Sequence, residues 1–274
     1  MKTLVTHIRP HLDDICAMWL LKKYDSSCHD AALAFIPYKN GEIASEPEKI
    51  LIGIGRGTFD EHKGDIGECA TSLVFAHLRT LPDFSQKDAS MRRALEKIVD
   101  WVLRDDTGRL MLDPDRKFSI SSVLLAMFYT KNHDSTAATE IGFSLLDGLL
   151  DSLIDVAVLE NDWQARIPFM SRFGAAVGIE SSARSIESYA YSQEFDIVVS
   201  VNREHTYHNI RARVGSNVDL TPAYEQLKKI DPDADWFFHH SKAMLICGDK
   251  VTPTNVDPHK ISKLTLAQLI DLVR

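Results

Sequence analysis

The stretch Leu4-Val5-Thr6-His7-Ile8-Arg9-Pro10-His11-Leu12-Asp13-Asp14-Ile15-Cys16-Ala17 passes from an apolar run through a polar turn into a helical pattern. The turn gathers two imidazoles, His7 and His11, and two carboxylates, Asp13 and Asp14, at the end of a predicted strand. So many nitrogen and oxygen donors repel one another or stay desolvated unless a cation or tight hydrogen bonding compensates them. The turn therefore predicts a divalent metal site.

The first half of the chain repeats this succession of apolar run and helical pattern, which is typical of parallel strands joined by crossover helices. Strands are predicted over 2–6, 32–37 and 50–54, and helices over 14–24, 68–79, 87–104, 120–129 and 139–160. We therefore expect an α/β fold, with a parallel sheet and flanking helices in an N-terminal domain of residues 1–170.

The second half has a different organisation. Residues 171–193 are rich in Ser, Ala, Gly and Tyr, a composition that predicts a linker. Strand patterns follow over 195–201, 209–214, 236–239 and 243–247, with one helix opened by Thr221-Pro222 and a last helix capped by Thr265 and Gln268. We expect residues 194–274 to form a smaller α+β domain.

Composition limits the classes of function. The chain has 274 residues, 45% of them hydrophobic, which is enough apolar material for two cores. Its 39 acidic and 31 basic residues give a net charge of -8, so it has no general attraction to phosphate backbones. We therefore expect no extended duplex binding, and the oligomeric state stays open.

The cysteines and the apolar stretches bear on location. Cys16, Cys28, Cys69 and Cys247 form no close pairs, which disfavours a zinc knuckle or a secreted disulfide scaffold. No stretch is apolar for long enough to span a bilayer, and the N-terminus runs directly into the His-rich turn. We expect a cytoplasmic protein that does not bind membranes.

Four further segments carry side chains that could converge on the opening turn. They are Ile50-Leu51-Ile52-Gly53-Ile54-Gly55-Arg56-Gly57, Thr58-Phe59-Asp60-Glu61-His62-Lys63-Gly64, Arg104-Asp105-Asp106-Thr107-Gly108 and His239-His240-Ser241-Lys242. The third segment places two carboxylates at the C-terminal end of a helix. The helix dipole disfavours anions there, so we expect a cation nearby. Taken singly, each segment has an ordinary alternative as a turn, a solvated loop or a strand end.

Taken in order, these segments resemble the DHH phosphoesterase superfamily, whose first motif is His, three residues, Asp, one residue, Asp at the end of the first strand. His7, His11 and Asp13 lie in that register. A His in place of the first Asp, followed by an acidic residue after the second, is similar to the Myg-type exonuclease branch. Asp14 stands in that extra acidic position.

The resemblance extends over most of the chain. Phe59-Asp60-Glu61-His62 is similar to the Tyr/Phe-Asp-His-His motif of that branch, and Asp106-Thr107-Gly108 is similar to the Asp-x-Gly of the fourth motif. The basic segment Ile210-Arg211-Ala212-Arg213-Val214 is similar to a strand of the C-terminal DHH-associated domain. Phe238-His239-His240-Ser241 takes the place of the Gly-Gly-Gly-His loop of that domain.

Two positions depart from the superfamily pattern. Gly53 stands where the second motif has an Asp that usually bridges two metals, and Glu61 replaces a His that is normally a metal ligand. A bridging carboxylate offsets the repulsion between two dications about 3.5–4 Å apart, so one metal or two is an open question. Glu61 could still coordinate through oxygen, which suits manganese or magnesium better than zinc.

The resemblance implies a metal-dependent, exonuclease-like phosphoesterase that hydrolyses a phosphodiester or phosphoanhydride in a nucleotide or short oligonucleotide. The implied cofactor is a divalent metal, Mn²⁺ first, with Mg²⁺ or Zn²⁺ as alternatives. The implied site residues are the metal ligands His7, His11, Asp13 and Asp106; the catalytic residues His62, Asp60 and Glu61; and the substrate-binding residues Asp14, Arg211, Arg213, His239, His240 and Ser241.

Two other functions stay open. The replacements at Gly53 and Glu61 also fit a nucleotide-binding protein of the same fold that has lost catalysis. In addition, Pro10-His11-Leu12-Asp13-Asp14 is similar to the Pro-His-Pro-Asp-Asp-Glu motif of zinc-dependent amino-sugar deacetylases. Leu12 and Ile15 depart from that motif, and the deacetylase family has no role for His7.

Overall fold

The computed structural model describes residues 1–38, 41–44, 46–64, 67–129, 134–250 and 257–274. Within them the chain divides into two compact units, Met1–Ile154 and Asp155–Arg274. The first unit thus ends before the predicted boundary at residue 170. The reason is that Leu159 and Trp163 pack in one apolar cluster with Val177 of the second unit.

The N-terminal unit contains the predicted parallel sheet. Its strands are β1 (Thr3–His7), β2 (Ala32–Ile36) and β3 (Lys49–Leu51), in the order β2-β1-β3. Both neighbours run parallel to the central strand β1, whose inner residues Leu4, Val5 and Thr6 are buried. Burial of a whole strand interior is expected where both faces of a parallel sheet are covered. The prediction of an α/β fold is confirmed.

The helices of this unit are α1 (Leu12–Tyr24), α2 (Ala70–Leu78), α3 (Pro82–Ser85), α4 (Ala89–Asp106), α5 (Ile120–Met127) and α6 (Ser135–Asp162), and the division between the units falls inside α6. Every residue of α1 except Lys22 and Lys23 is buried, and α1 packs against α2 and α4. A helix that is apolar all round belongs in a core. Its polar first turn, with Asp13 and Asp14, is therefore held inside the unit.

The C-terminal unit contains a mixed sheet in the order β4-β5-β6-β7-β9-β8. Its strands are β4 (Ile167–Ser171), β5 (Gly174–Glu180), β6 (Ile197–Val201), β7 (Tyr207–Ala212), β8 (Trp236–Phe238) and β9 (Met244–Gly248), and only β5 and β6 pair in parallel among the described strands of this sheet. Its helices are α7 (Ile186–Ser192), α8 (Thr221–Ile230) and α9 (Leu266–Asp271). The capping box of Thr265 and Gln268 is present, as predicted.

Residues 171–193, predicted to be a linker, instead hold strand β5 and helix α7. The small residues that suggested a linker serve close packing. A Cβ at Gly178 in β5 would overlap Cδ1 of Ile270, which belongs to helix α9. Small side chains here let a helix approach the sheet, a role that composition alone does not distinguish from flexibility.

None of the described helices combines the length and the apolar character needed to cross a bilayer.

Candidate metal centre

Side chains from three segments of the N-terminal unit meet beside the end of β1. Their possible ligand atoms form three groups, and within each group all atoms lie within 4.8 Å of one another: His7, His11 and Asp14; Asp13, Glu61 and Asp106; Asp60, Glu61 and His62. We refer to these residues as the donor cluster. The structure thus brings together all the residues that the sequence predicts as metal ligands or catalytic groups.

His7 is held by its own backbone and by Asp14. Its Nδ1 lies 2.9 Å from the carbonyl oxygen of Ile8, and because that oxygen can only accept, Nδ1 carries a proton. Nε2 then faces Asp14 Oδ2 at 3.0 Å. Burial alone would lower the pKa of His7, but the hydrogen bond and charge of Asp14 raise it above its usual value. A histidine whose other nitrogen donates to a carbonyl is oriented as metal-binding histidines usually are.

Asp14, predicted to bind substrate, faces the interior and is only 3% exposed. Its Oδ1 accepts a hydrogen bond from Thr6 Oγ1 at 3.0 Å, and its Oδ2 accepts one from the His11 backbone N–H at 2.9 Å. Gly53 lies against this carboxylate, since a Cβ built on Gly53 would overlap Asp14 Oδ1. Asp14 therefore fills the space that a side chain at position 53 would need, and it lies among the candidate ligands.

Asp13 caps the N-terminus of helix α2, which lies far from it in the sequence. Its Oδ2 and Oδ1 accept hydrogen bonds from the backbone N–H groups of Ala70 at 3.0 Å and Thr71 at 2.8 Å. A carboxylate is well placed at a helix N-terminus, where N–H groups lack partners. Burial, together with the charge of Asp14, nevertheless raises the pKa of Asp13 to about 7. Asp13 thus stabilises the fold in addition to any role as a ligand.

Glu61 and Asp106 complete a group of three carboxylates with Asp13. Burial raises the pKa of both side chains, and the negative charge of Asp14 raises it further. Glu61 Oε2 is buried and has no hydrogen-bond partner among the described residues. Three crowded carboxylates, one with an unpartnered buried oxygen, form a set that a divalent cation would compensate. The residues present therefore fit a metal.

Asp60 fixes the position of His62. The Asp60 carboxylate is 2% exposed and accepts hydrogen bonds from Arg56 N at 2.5 Å, His62 N at 3.0 Å and His62 Nδ1 at 2.9 Å. Burial alone would lower the pKa of His62, but the hydrogen bond to Asp60 and the charges of Glu61 and Asp60 raise it. With a side chain 56% exposed, His62 presents its imidazole to solvent.

The sequence does not single out two residues that the structure adds. Thr6 is a polar residue inside a fully buried strand segment, and that contrast is the signal that could have identified it. Arg116 places Nε 3.4 Å from Asp105 Oδ1. The helix dipole disfavours the carboxylate pair Asp105-Asp106 at the C-terminus of α4. The guanidinium of Arg116 compensates the charge of Asp105.

Two predicted substrate-binding arginines lie in the C-terminal unit, in and just after β7. Arg213 donates through Nη2 to the carbonyl oxygens of Tyr191 at 2.9 Å and Phe195 at 3.0 Å. Arg213 thus ties parts of the fold together, and its role in binding substrate stays a prediction. The Nε atoms of Arg211 and Arg213 are both buried without a hydrogen-bond partner among the described residues.

The other predicted substrate-binding residues lie between β8 and β9. His239 Nδ1 accepts a hydrogen bond from the Ser241 backbone at 3.2 Å and lies 2.8 Å from Ser241 Oγ. The rings of His239 and His240 have centroids 4.0 Å apart. The turn thus brings two imidazoles and a hydroxyl together, and their role in binding stays a prediction.

No family model matches the chain, and no curated protein matches its sequence. Among solved structures, a DHH domain of a member of the s1p family of ribosomal proteins is 10% identical, with 92% of this chain and 84% of that chain covered and a TM-score of 0.32. An uncharacterized protein from Helicobacter pylori is 12% identical, covering 96% and 95%, with a TM-score of 0.26. RecJ from Thermus thermophilus, in complex with Mg²⁺, is 13% identical, covering 92% of this chain and 48% of that chain, with a TM-score of 0.27. Similarity at this level carries no conclusion about function.

Proposed function

We propose that the N-terminal unit is a divalent-metal-dependent phosphoesterase acting on a nucleotide or a short oligonucleotide. The observation that carries the proposal is the group Asp13, Glu61 and Asp106, three carboxylates from three segments with ligand atoms within 4.8 Å of one another. Carboxylates crowded in this way destabilise a fold unless something compensates their charge. The motifs of the DHH superfamily, in the same order along the chain, supply the reaction class.

The residues that would hold the metal are His7, His11, Asp13 and Asp106, with Asp14 and Glu61 beside them. A donor set of carboxylates and imidazoles without thiolates suits Mn²⁺ well, and Mg²⁺ and Zn²⁺ are alternatives. A divalent ion bound there lowers the pKa of a bound water and neutralises charge that develops on a phosphoryl group.

Asp14 compensates for the glycine at position 53 in this proposal. Its carboxylate occupies the space beside Gly53 that an aspartate side chain there would need. It also lies 3.0 Å from His7 Nε2, the nitrogen that faces the cluster. The chain thus keeps a carboxylate where the resemblance led us to expect its loss, which supports an active enzyme over a binding protein that has lost catalysis.

His62 is the proton donor of the proposed reaction. Asp60 holds Nδ1 at 2.9 Å and raises the pKa of the imidazole, so that Nε2 stays protonated closer to neutral pH. A proton at this position can be given to the leaving-group oxygen or can bind a phosphate oxygen. Asp60 is a positioning residue, because its own carboxylate is buried and fully hydrogen bonded.

The test is a hydrolysis screen in the presence of Mn²⁺, over bis-p-nitrophenyl phosphate, pyrophosphate and short RNA and DNA oligomers. We expect turnover by the wild type and a loss of at least about 100-fold in His62→Gln, in line with typical general acid–base contributions. His77→Gln, a second partly exposed histidine outside the cluster, serves as the control. Equal turnover by wild type and His62→Gln would contradict the proposed role.

The amino-sugar deacetylase is less well supported. That reaction has no use for an imidazole at His7 or for the segment Asp60 to His62, yet both contribute groups to the donor cluster. Hydrolysis of an N-acetylated amino sugar, without hydrolysis of any phosphoester, would reverse this preference.

A further inference from the structure

A cavity of about 260 Å³ adjoins the donor cluster within the N-terminal unit. His11, Asp13 and Asp106 form the part of the wall that the cavity shares with the cluster. Apolar side chains from α4 and α5, Val102 and Leu124 among them, form another part. A molecule seated in this cavity would touch candidate metal ligands on one side and hydrocarbon on the other.

Arg116 brings a positive charge to the wall of this otherwise acidic cavity. Its backbone is fixed in a tight turn, with N–H donated to Asp113 O at 3.1 Å and its carbonyl accepting from Ser122 Oγ at 2.8 Å. Its guanidinium makes an ion pair through Nε with Asp105, whose side chain is 8% exposed. This anchoring leaves the terminal amino groups of Arg116 to interact with a ligand.

The size and chemistry of the cavity limit the ligand. Pockets for small organic molecules usually measure about 300–1,000 Å³, so 260 Å³ admits one compact group and excludes an extended chain. An arginine in a partly apolar wall is suited to a phosphate or carboxylate, which it binds through two parallel hydrogen bonds. Ser121 adds a hydroxyl to the same wall.

We infer that this cavity binds the organic group of a phosphate ester, no larger than one nucleoside, while Arg116 binds a phosphate oxygen of the same ligand. The inference rests on the proposed function, because the donor cluster is the neighbouring anchor. It deepens that function, because it specifies that one end of the substrate binds in a small cavity. Cleavage would then release one unit at a time from a short chain.

The test is calorimetric titration of Mn²⁺-loaded protein with adenosine 5′-monophosphate and, separately, with inorganic phosphate. We expect the wild type to bind the nucleotide at least about tenfold more tightly than phosphate. Arg116→Gln should weaken nucleotide binding about tenfold or more, since it removes a charged hydrogen-bonding group, and should leave Mn²⁺ affinity unchanged. Ser121→Phe should fill the cavity and abolish the preference for the nucleotide over phosphate.

Arg104→Gln is the matched control, because Arg104 lies on α4 and pairs with the exposed Asp100 at 3.7 Å. Wild-type nucleotide affinity in both Arg116→Gln and Ser121→Phe would overturn the inference, as would equal affinity of the wild type for nucleotide and phosphate. A wild type that takes up no Mn²⁺ would instead contradict the proposed function, and the inference would fall with it. Mn²⁺ uptake is measured first, so that the two failures are distinguishable.

Discussion

The carboxylate of Asp14 occupies the space into which a side chain at Gly53 would project. Gly53 has a φ of +62, a left-handed conformation that favours glycine. We expect Gly53→Ala to destabilise the fold through both the backbone strain and the overlap with Asp14, the latter costing about 1–3 kcal/mol. Gly215→Ala, with φ +80 and open space around its Cβ position, controls for the backbone term alone. Equal losses of unfolding free energy in urea titrations of the two variants would contradict the overlap.

Moving a carboxylate from position 14 to position 53 tests whether Asp14 replaces an aspartate that position 53 lacks. Asp14→Ala should lower Mn²⁺ affinity by about tenfold or more, because it removes one negative donor from the cluster. The double variant Asp14→Ala/Gly53→Asp should recover part of that affinity, since aspartate tolerates the left-handed conformation better than most residues. Calorimetric titration compares the three proteins. A double variant that binds Mn²⁺ no better than Asp14→Ala would show that the two positions are not interchangeable.

Asp13 and Asp106 should behave differently when each is changed to asparagine. Asp13→Asn loses an acceptor for the N-terminal N–H groups of α2, at Ala70 and Thr71, which we expect to cost about 1–2 kcal/mol of unfolding free energy at pH 4, where removal of the Asp13 charge brings no gain. Asp106→Asn removes a carboxylate whose pKa is raised by burial and by Asp14, so it should stabilise the metal-free protein at pH 8. Denaturant titrations of both variants without metal test this contrast. Destabilisation of the metal-free protein by Asp106→Asn would contradict it.

The stability of the metal-free protein should fall as pH rises. The folded-state pKa of Asp13, raised to about 7 by burial and by Asp14, lies above its unfolded value of 3.8, as do those of Glu61 and Asp106 above theirs. A group of this kind contributes stability that is present below its unfolded pKa and is lost as pH rises through the folded pKa. The raised pKa values of His7 and His62 act in the same direction at higher pH.

Melting curves between pH 5 and pH 8 measure this effect. We expect the metal-free protein to lose stability across that range, by about 3 kcal/mol from Asp13, and Mn²⁺ to reverse the loss because it replaces the protons. A metal-free protein that becomes more stable between pH 5 and pH 8, with no added effect of Mn²⁺ at pH 8, would contradict the assignment.

Much of the N-terminal unit could be predicted from the sequence because its signals are local. The passage from Val5 through the His-rich turn into α1 is encoded in adjacent residues, and the periodicity of α4 is strong enough to show its apolar face. The convergence of separate motifs on that turn followed from their resemblance to one superfamily. The carboxyl ends of parallel strands lie at one edge of a sheet, which makes such convergence physically reasonable.

What the sequence could not show depends on contacts between distant residues. Strand β5 was not predicted because its small residues, Gly178 among them, suggested a linker. Ile270 packs directly against Gly178, and local composition does not reveal this contact. The resemblance led us to expect Asp14 at the substrate, and its burial against Gly53 could not be predicted because the two residues are distant in the sequence. The hydrogen bonds from Arg213 to the carbonyl oxygens of Tyr191 and Phe195 could not be predicted either, because only the fold brings these partners to it.

The central claim, that three segments build one metal centre, is tested most directly by calorimetric titration of Mn²⁺ into wild type, Asp106→Asn and Asp100→Asn. Asp106 belongs to the carboxylate group, whereas Asp100 lies on the same helix, α4, with a side chain 65% exposed. We predict stoichiometric binding to the wild type and to Asp100→Asn, and a loss of at least about tenfold in Asp106→Asn. Equal Mn²⁺ affinity in all three proteins, or no binding to the wild type, would contradict the account.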